Sequence, residues 1–223
     1  MAAVDTRASR LPQWASLGGV AFVVLFVIGT LLMFSNTPMG DDPPAKVMAY
    51  FGNSGHRHRI ELAWIVAGFA FLVFLFFVAA LRQTVARLEG DSLLATLTAI
   101  GGTVYATLAL AAFSLETGVR TMSDDTFQHR VYPEVIHAAD DASWNIHAAG
   151  GAGLAVMIIA VSMAFIRSAE MPSWLGWIGV VGALAALASI VFFPIFIWLL
   201  WVLIVSVMLF VRGAGPAQEG AVT

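Results

Sequence analysis

The amino-acid sequence predicts an all-α protein, a polytopic transmembrane helical bundle with six spans. Of its 223 residues, 60% are hydrophobic and 11% are charged, whereas a soluble domain is roughly 25% charged. A helix needs about 20 apolar residues to cross the roughly 30 Å hydrocarbon core of a bilayer. Five long runs contain no Asp, Glu, Lys or Arg, and they are 17–34, 62–81, 93–115, 146–166 and 171–211.

The first four runs predict one span each, and the last predicts two. A single helix over 171–211 would extend about 60 Å, twice the hydrocarbon thickness. Pro194 lies near its middle, removes a backbone donor and disfavours helix at the preceding residue. We therefore expect a fifth helix at 173–192 and a sixth at 195–211.

These spans form one predicted six-helix transmembrane domain, 17–211, between the tails 1–16 and 212–223. The first run follows Arg7 and Arg10, but it is too long for the apolar part of a secretory signal, and no A-x-A-like cleavage site follows it. It predicts a retained anchor. The distribution of Lys and Arg favours both termini in the cytoplasm, which places the loops 35–61 and 116–145 outside.

Composition also excludes several kinds of site. The chain has no cysteine, so disulfides and thiolate metal centres are excluded. A net charge of -3 gives no basic surface for nucleic acid. His147 is the single histidine predicted within a span, which leaves no bis-histidine haem site, and no hydrolase or phosphate-loop motif occurs. No cofactor is predicted.

The first outer loop, 35–61, combines a short apolar run with a basic cluster. Residues 47–51 predict one or two helical turns on the membrane surface, and His56-Arg57-His58-Arg59 follows them. The arginines would repel a metal ion from the two histidines. Glu61 is expected at the start of the second spanning helix, paired with Arg57 at i, i+4.

The second outer loop, 116–145, contains the candidate metal ligands. Pro133 fits the first position of a helix that continues into the fourth span. Four residues on that helix could bind a divalent metal or relay a proton, namely His137, Asp140, Asp141 and His147. The alternative is structural, because acidic residues often begin helices and a histidine near the interface often binds a carbonyl group.

Ionisable residues at the edge of a span are candidates for ligand binding or proton relay, here Glu61, Glu116, Arg120 and His147. Glu116 and Arg120 are spaced as an i, i+4 pair at the end of the third helix, and both could extend outward to water. That helix also contains Thr103, Tyr105 and Thr107. It is the most polar helix and the one expected to border any cavity.

Small residues predict which helix faces meet. They recur along the fifth helix at Gly176, Gly179, Gly182, Ala186 and Ser189, and on the fourth helix at Ala149 and Gly153. Such residues let helices approach closely in a membrane. We interpret these faces as packing within the chain rather than as a dimer interface.

Four sequence elements carry a resemblance to a known family. They are the run Ala45-Lys46-Val47-Met48-Ala49-Tyr50-Phe51, the span end Ala80-Leu81-Arg82, the pair Gly101-Gly102 and the segment Pro172-Ser173-Trp174-Leu175-Gly176-Trp177. Together they resemble a family of small actinobacterial integral membrane proteins whose domain has no assigned function. The resemblance implies a six-helix bundle in the bacterial plasma membrane and implies no reaction, ligand or catalytic residue.

Two functional hypotheses follow. The first is a non-enzymatic module that lies in the bilayer and binds a small or lipid-like ligand, or a membrane partner protein, at its outer face. The second is a metal-assisted membrane hydrolase with an outer-rim site formed by His137, Asp140, Asp141 and His147, with Glu116 as a further candidate.

Overall fold

The fold was examined in a computed structural model, which describes residues 13–38, 42–124, 130–189 and 194–213. These parts of the chain contain helices and no strand. A 3₁₀ turn at Gln13–Leu17 leads into the first of seven α-helices within the described residues, which are α1 (Gly18–Phe34), α2 (Pro44–Phe51), α3 (Ser54–Glu89), α4 (Leu93–Arg120), α5 (Pro133–Arg167), α6 (Ser173–Ala188) and α7 (Ile195–Gly213).

Five of these helices are long and apolar enough to cross a membrane: α1 with its preceding turn, α3, α4, α5 and α7. Their outward faces carry large apolar side chains, such as Leu31, Phe69 and Phe196, that are 59%, 58% and 79% exposed. An apolar outer surface of this extent is suited to lipid rather than to water. The protein is therefore membrane-embedded.

The last apolar run, 171–211, is divided between the two helices α6 and α7, as predicted from Pro194. α6 has 16 residues and is about 24 Å long, shorter than the other apolar helices. Pro194 directly precedes α7, in agreement with the predicted break. The predicted helix end at Phe192 lies outside the described residues, as do Arg7 and Arg10.

Local sequence explains where the long helices begin and end. The Asn53 side chain accepts a hydrogen bond from Gly55 N–H at 2.8 Å and caps the start of α3. Gly90 follows α3 with a φ of 76°, a conformation that favours glycine and ends the helix. Pro133 occupies the first turn of α5, as predicted.

Glycine brings the central helices close together. A Cβ atom at Gly101 of α4 would lie 2.5 Å from the carbonyl oxygen of Gly153 on α5, so the two backbones nearly touch. Gly176 and Gly179 of α6 pack in the same way against Ser162 of α5. The small-residue face of the fifth predicted helix thus packs within the chain, as interpreted from the sequence.

Aromatic rings fill the centre of the bundle. Phe22 of α1 lies 4.6 Å from Phe74 of α3 between ring centroids, and Tyr105 of α4 lies 5.7 Å from Trp198 of α7. Phe26 of α1 contacts the Trp198 ring as well. α1 is therefore held mainly against α3 and α7.

The short helix α2 occurs where a surface helix was predicted, but its apolar face is turned to the protein. Val47 and Phe51 are each 1% exposed and belong to the same hydrophobic core as the long helices. The prediction that residues 47–51 lie on the membrane surface was wrong for these two side chains, because the bundle itself buries them.

Ion pairs define the two ends of the bundle. At the Arg120 end, Arg120 of α4 pairs with Asp140 of α5, and Arg57 of α3 pairs with Asp124. At the opposite end, called the Arg82 end, Arg82 pairs with Asp91 at 3.1 Å. Within the described residues, the end of α5 is also found there, since Arg167 pairs with Glu89 at 3.9 Å.

Candidate functional site

A partly open cavity of about 390 Å³ lies at the Arg120 end, between α1 and the α4–α5 pair. Its size falls in the range of small-molecule sites, about 300–1,000 Å³. Four helices and the segment after α1 contribute its lining, which consists of Phe26, Thr30, Phe34, Thr37, Pro38, Ala112, Phe113, Glu116, Arg120, Asp140, Ser143, Trp144, His147 and Ile195.

Most of the surface area of this lining is apolar, although about half of the lining residues carry polar groups. The Phe26 and Phe113 rings pack edge to face in its apolar wall, with their centroids 6.2 Å apart. Phe34 and Trp144 line the cavity while remaining 44% and 45% exposed, so these two rings border its opening. Aromatic side chains with one exposed edge are typical of the membrane–water interface.

The polar part is built around Arg120, which is 4% exposed. Its Nη2 donates to Asp140 Oδ1 at 2.9 Å, and its Nη1 lies 3.5 Å from Glu116 Oε2. The guanidinium also stacks near two rings, with its Cζ 5.4 Å from the Phe34 centroid and 5.9 Å from that of Phe51. Aromatic faces stabilise a partly desolvated cation in this geometry.

Glu116 is held in place from the neighbouring helix. Ser143 Oγ of α5 donates to Glu116 Oε1 at 2.6 Å. Because Ser143 and Asp140 lie one turn apart on α5, that helix fixes both members of the Glu116–Arg120 pair. The polar end is therefore positioned by rigid helices rather than by loops.

Several buried polar atoms at this end have no hydrogen-bond partner among the described residues. They include Arg120 Nε, Arg120 Nη1 and Glu116 Oε2. The 3.5 Å contact between the last two is long for a hydrogen bond. Buried polar atoms in proteins are almost always hydrogen-bonded, so these three atoms are open hydrogen-bonding positions at the polar end of the cavity.

Arg57 anchors α2 beside Arg120. It is 6% exposed, pairs with Asp124 and donates from Nη1 to the carbonyl oxygen of Phe51 at 2.8 Å. The predicted pairing of Arg57 with Glu61 was wrong, because the Arg57 side chain is directed to Asp124 and to the end of α2. This contact holds the Phe51 ring near the Arg120 guanidinium.

Arg59 binds a residue of the cavity wall without lining the cavity itself. Arg59 Nη2 donates to Thr37 Oγ1 at 3.0 Å and also to Tyr50 OH. The His56 ring stacks on Tyr50 with centroids 3.9 Å apart. Thr37 lines the cavity, so this cluster fixes the backbone that follows α1.

The structure brings together most of the predicted ligand-binding candidates. Glu116, Arg120 and His147 all line the cavity, whereas Glu61 is half-buried on α3 and is not among the lining residues. The predicted pairing of Glu116 with Arg120 is present. Their expected extension to water is not, because the Arg120 and Glu116 side chains are 4% and 12% exposed.

The predicted metal grouping of His137, Asp140, Asp141 and His147 is not assembled. In the parts of the chain that the structure describes, no three His, Asp or Glu side chains are placed to hold a metal ion. Asp140 is engaged with Arg120, and Asp141 is exposed. His147 instead meets the edge of the Tyr105 ring, with centroids 6.1 Å apart.

Among the groups that contact Arg120 and Glu116, two aromatic rings and one hydroxyl were not identified from the sequence. Phe34 and Phe51 were assigned to a span and to a surface helix, and Ser143 was not singled out. Ser143 could have been found by periodicity, since it lies on the same helix face as Asp140 and His147. The rings on Arg120 could not, because they come from α1 and α2 through tertiary packing.

Comparison with known proteins adds no assignment. The chain matches no protein-family model, no curated protein and no solved structure. The resemblance to the actinobacterial membrane family therefore stays a prediction, and function has to be argued from the cavity.

Proposed function

We propose that this protein is a non-enzymatic membrane protein that binds a small amphipathic, lipid-like ligand in the cavity at the Arg120 end. One observation carries the proposal: a largely apolar cavity ends at a buried arginine whose Nε and Nη1 have no hydrogen-bond partner within the described residues. Apolar walls with a few convergent polar groups are the usual composition of a ligand site.

The size of the cavity supports a ligand of moderate length. A volume of about 390 Å³ holds about 13 atoms at roughly 30 Å³ each, the share of one water molecule in the liquid. That corresponds to a chain of about a dozen carbon atoms with a small head group. The apolar part would lie against Phe26 and Phe113, and the head group would lie at Arg120.

The opening supports entry from the bilayer. Phe34 and Trp144 border it and are both nearly half exposed. An amphipathic molecule concentrated in the membrane could pass between these rings with its chain first in contact with aromatic surface. We propose this lateral route because neither ring carries a charge that would oppose an apolar chain.

We further propose six spans, with both termini in the cytoplasm, the cavity on the outer side and the plasma membrane of a bacterium as location. α7 begins at the cavity, where Ile195 lines it, and ends near Glu170, whose carbonyl oxygen accepts from Arg212. α6 starts just after Glu170, so 173–194 has to connect the two ends of the bundle. This supports a sixth crossing although α6 is short.

The proposed function is tested by filling the cavity. Ala112 lines it and is 3% exposed, and Ala111 is its exposed neighbour on the same helix. We expect Ala112→Leu to weaken saturable binding of 12-carbon amphiphiles at least tenfold, because the added methyl groups occupy ligand space. Binding is measured in nanodiscs as quenching of Trp144 by brominated probes, with empty nanodiscs as background.

Ala111→Leu is the matched control and should bind as the wild type does. Trp144→Phe should remove the saturable part of the quenching and so identify the cavity as its origin. Saturable binding that is unchanged in a folded Ala112→Leu variant would contradict the proposal. So would a complete absence of saturable binding for alcohol, carboxylate and amine probes alike.

A further inference from the structure

The open hydrogen-bonding positions at the polar end limit which functional group a ligand can place there. Arg120 offers donors at Nε and Nη1, and Glu116 offers an acceptor at Oε2, none of them bonded within the described chain. The donor Nη1 and the acceptor Oε2 lie 3.5 Å apart. A single ligand atom that both accepts and donates can therefore satisfy Arg120 Nη1 and Glu116 Oε2 together. A hydroxyl group has this capacity.

The charges around these positions disfavour an ionic head group. Glu116 and Asp140 provide two carboxyl groups against the one guanidinium of Arg120. An added carboxylate or phosphate would meet two acceptors of its own sign, whereas an added ammonium would lie beside Arg120 and could not accept its hydrogen bonds. Both outcomes leave buried groups unsatisfied, which is costly in a low-dielectric site.

The other arginines at this end do not change that balance. Arg57 pairs with Asp124. Arg59 donates to Thr37 and Tyr50, and neither arginine lines the cavity. The Arg120 charge is in turn shared between Asp140 and the Phe34 and Phe51 rings. Arg120, the arginine that lines the cavity, therefore has its charge compensated before an anionic ligand binds.

We infer that the ligand is an uncharged, hydroxyl-headed amphiphile, such as an alcohol of about 12 carbon atoms, whose hydroxyl group bridges Arg120 and Glu116. This inference rests on the proposed function. The hydroxyl oxygen accepts from Arg120, and its proton is donated to Glu116 Oε2. The chain extends along Phe26 and Phe113 toward the aromatic centre of the bundle.

The test compares three 12-carbon probes that differ in the head group alone: 1-dodecanol, laurate and dodecylamine. We expect wild-type protein in nanodiscs to bind the alcohol at least tenfold more tightly than the carboxylate or the amine. The measurement is competition with brominated dodecanol for the saturable Trp144 quenching. Wild-type protein that binds laurate or dodecylamine more tightly than dodecanol would overturn the inference and leave the proposed function standing.

Two variants test the role assigned to the carboxyl groups. Glu116→Gln and Glu116→Gln/Asp140→Asn remove one and two acids beside Arg120, so laurate should gain relative to dodecanol at each step. Glu61 lies outside the cavity lining, so Glu61→Gln should leave the ratio of laurate to dodecanol affinity unchanged. An unchanged ratio in folded Glu116→Gln protein would also overturn the hydroxyl bridge. If no probe binds wild-type protein saturably, the proposed function itself fails.

Discussion

Ser206 of α7 satisfies the backbone at the start of the first helix. Its Oγ accepts a hydrogen bond from Val20 N–H at 3.1 Å and donates one to the carbonyl oxygen of Ser16. The first N–H groups of a helix have no partner within that helix, and no side chain caps α1 at Leu17. Ser206 therefore replaces a local cap with one from the far end of the chain.

We expect Ser206→Ala to destabilise the protein by about 1–3 kcal/mol, because it leaves buried backbone groups of the first helix unpaired. The measurement is the thermal unfolding midpoint in detergent. Ser162→Ala is the matched control: both serines are 0% exposed, but within the described residues Ser162 Oγ donates to the carbonyl oxygen of Ile158 in its own helix. Equal losses in the two variants would contradict the role given to Ser206.

The polar residues of the site were predictable only as far as one helix determines their partners. Glu116 and Arg120 are four residues apart on α4, so their contact follows from helix geometry. Arg57 has the same relation to Glu61 but binds Asp124 instead. The local pairing fails there because a partner distant in sequence, and the carbonyl oxygen of Phe51, offer a buried guanidinium more hydrogen bonds.

The crossing of α4 and α5 depends on residues without side chains. At Gly101 a Cβ atom would lie 2.5 Å from the carbonyl oxygen of Gly153 and 2.6 Å from the backbone nitrogen of Met157. Neither backbone atom can move without shifting α5. Close approach of this kind gains packing energy between helices in a membrane, where lipid removes the hydrophobic drive for association.

Gly101→Ala should therefore cost about 1–3 kcal/mol or more through overpacking. Gly118→Ala, in the same helix, has no atom within 4 Å of the added Cβ and should be neutral or stabilising by up to about 1 kcal/mol. Unfolding in a mixed-detergent titration measures both. A Gly101→Ala protein as stable as the wild type would show that the helices separate at little cost.

The helices themselves were largely predictable from hydropathy and from the prolines at which helices begin. Pro133 and Pro194 precede or begin α5 and α7 because proline fits the start of a helix. The lengths were less predictable: α3 runs from Ser54 to Glu89, far beyond the apolar run 62–81. Its polar ends remain helical because Asn53 caps the start and partners such as Asp124 hold the charged side chains.

At the level of the whole molecule, both ends of the described chain lie toward the Arg82 end. Ser16 contacts Ser206 near the end of α7, and Arg212 donates to the carbonyl oxygen of Glu170. An even number of crossings would produce this arrangement. The apolar runs of the sequence predict the same number, but a run alone cannot show that a helix as short as α6 crosses.

A reporter distinguishes five spans from six. We expect alkaline phosphatase fused after Thr223 or after Gly90 to be inactive, and phosphatase fused after Arg130 in a truncated chain to be active, since the enzyme works only outside the cytoplasm. A fluorescent protein fused at the same positions should give the reverse pattern. Phosphatase activity at Thr223 combined with an inactive fusion at Gly90 would mean that α6 does not cross the membrane.

The length of α3 determines how deep the protein lies in the membrane. Arg57 and Arg82 are about 25 residues apart, or about 37 Å of helix, between the roughly 30 Å hydrocarbon core and the 40–45 Å of the whole bilayer. Movement of the protein along the membrane normal would bring one arginine and its aspartate partner into the hydrocarbon core. For the arginine this costs about 2.5–3.5 kcal/mol.

The distance between Arg57 and Arg82 on α3 therefore fixes the depth of the protein in the bilayer. Arg57 and Arg120 share contacts with Phe51, so the polar end of the cavity is held at the depth of the lipid head groups. Phe26 extends the cavity toward the aromatic rings of the interior. We expect a bound amphiphile to have the orientation of the neighbouring lipids, with its head group at the membrane surface and its chain toward the interior. It can therefore enter the cavity from the bilayer without turning over.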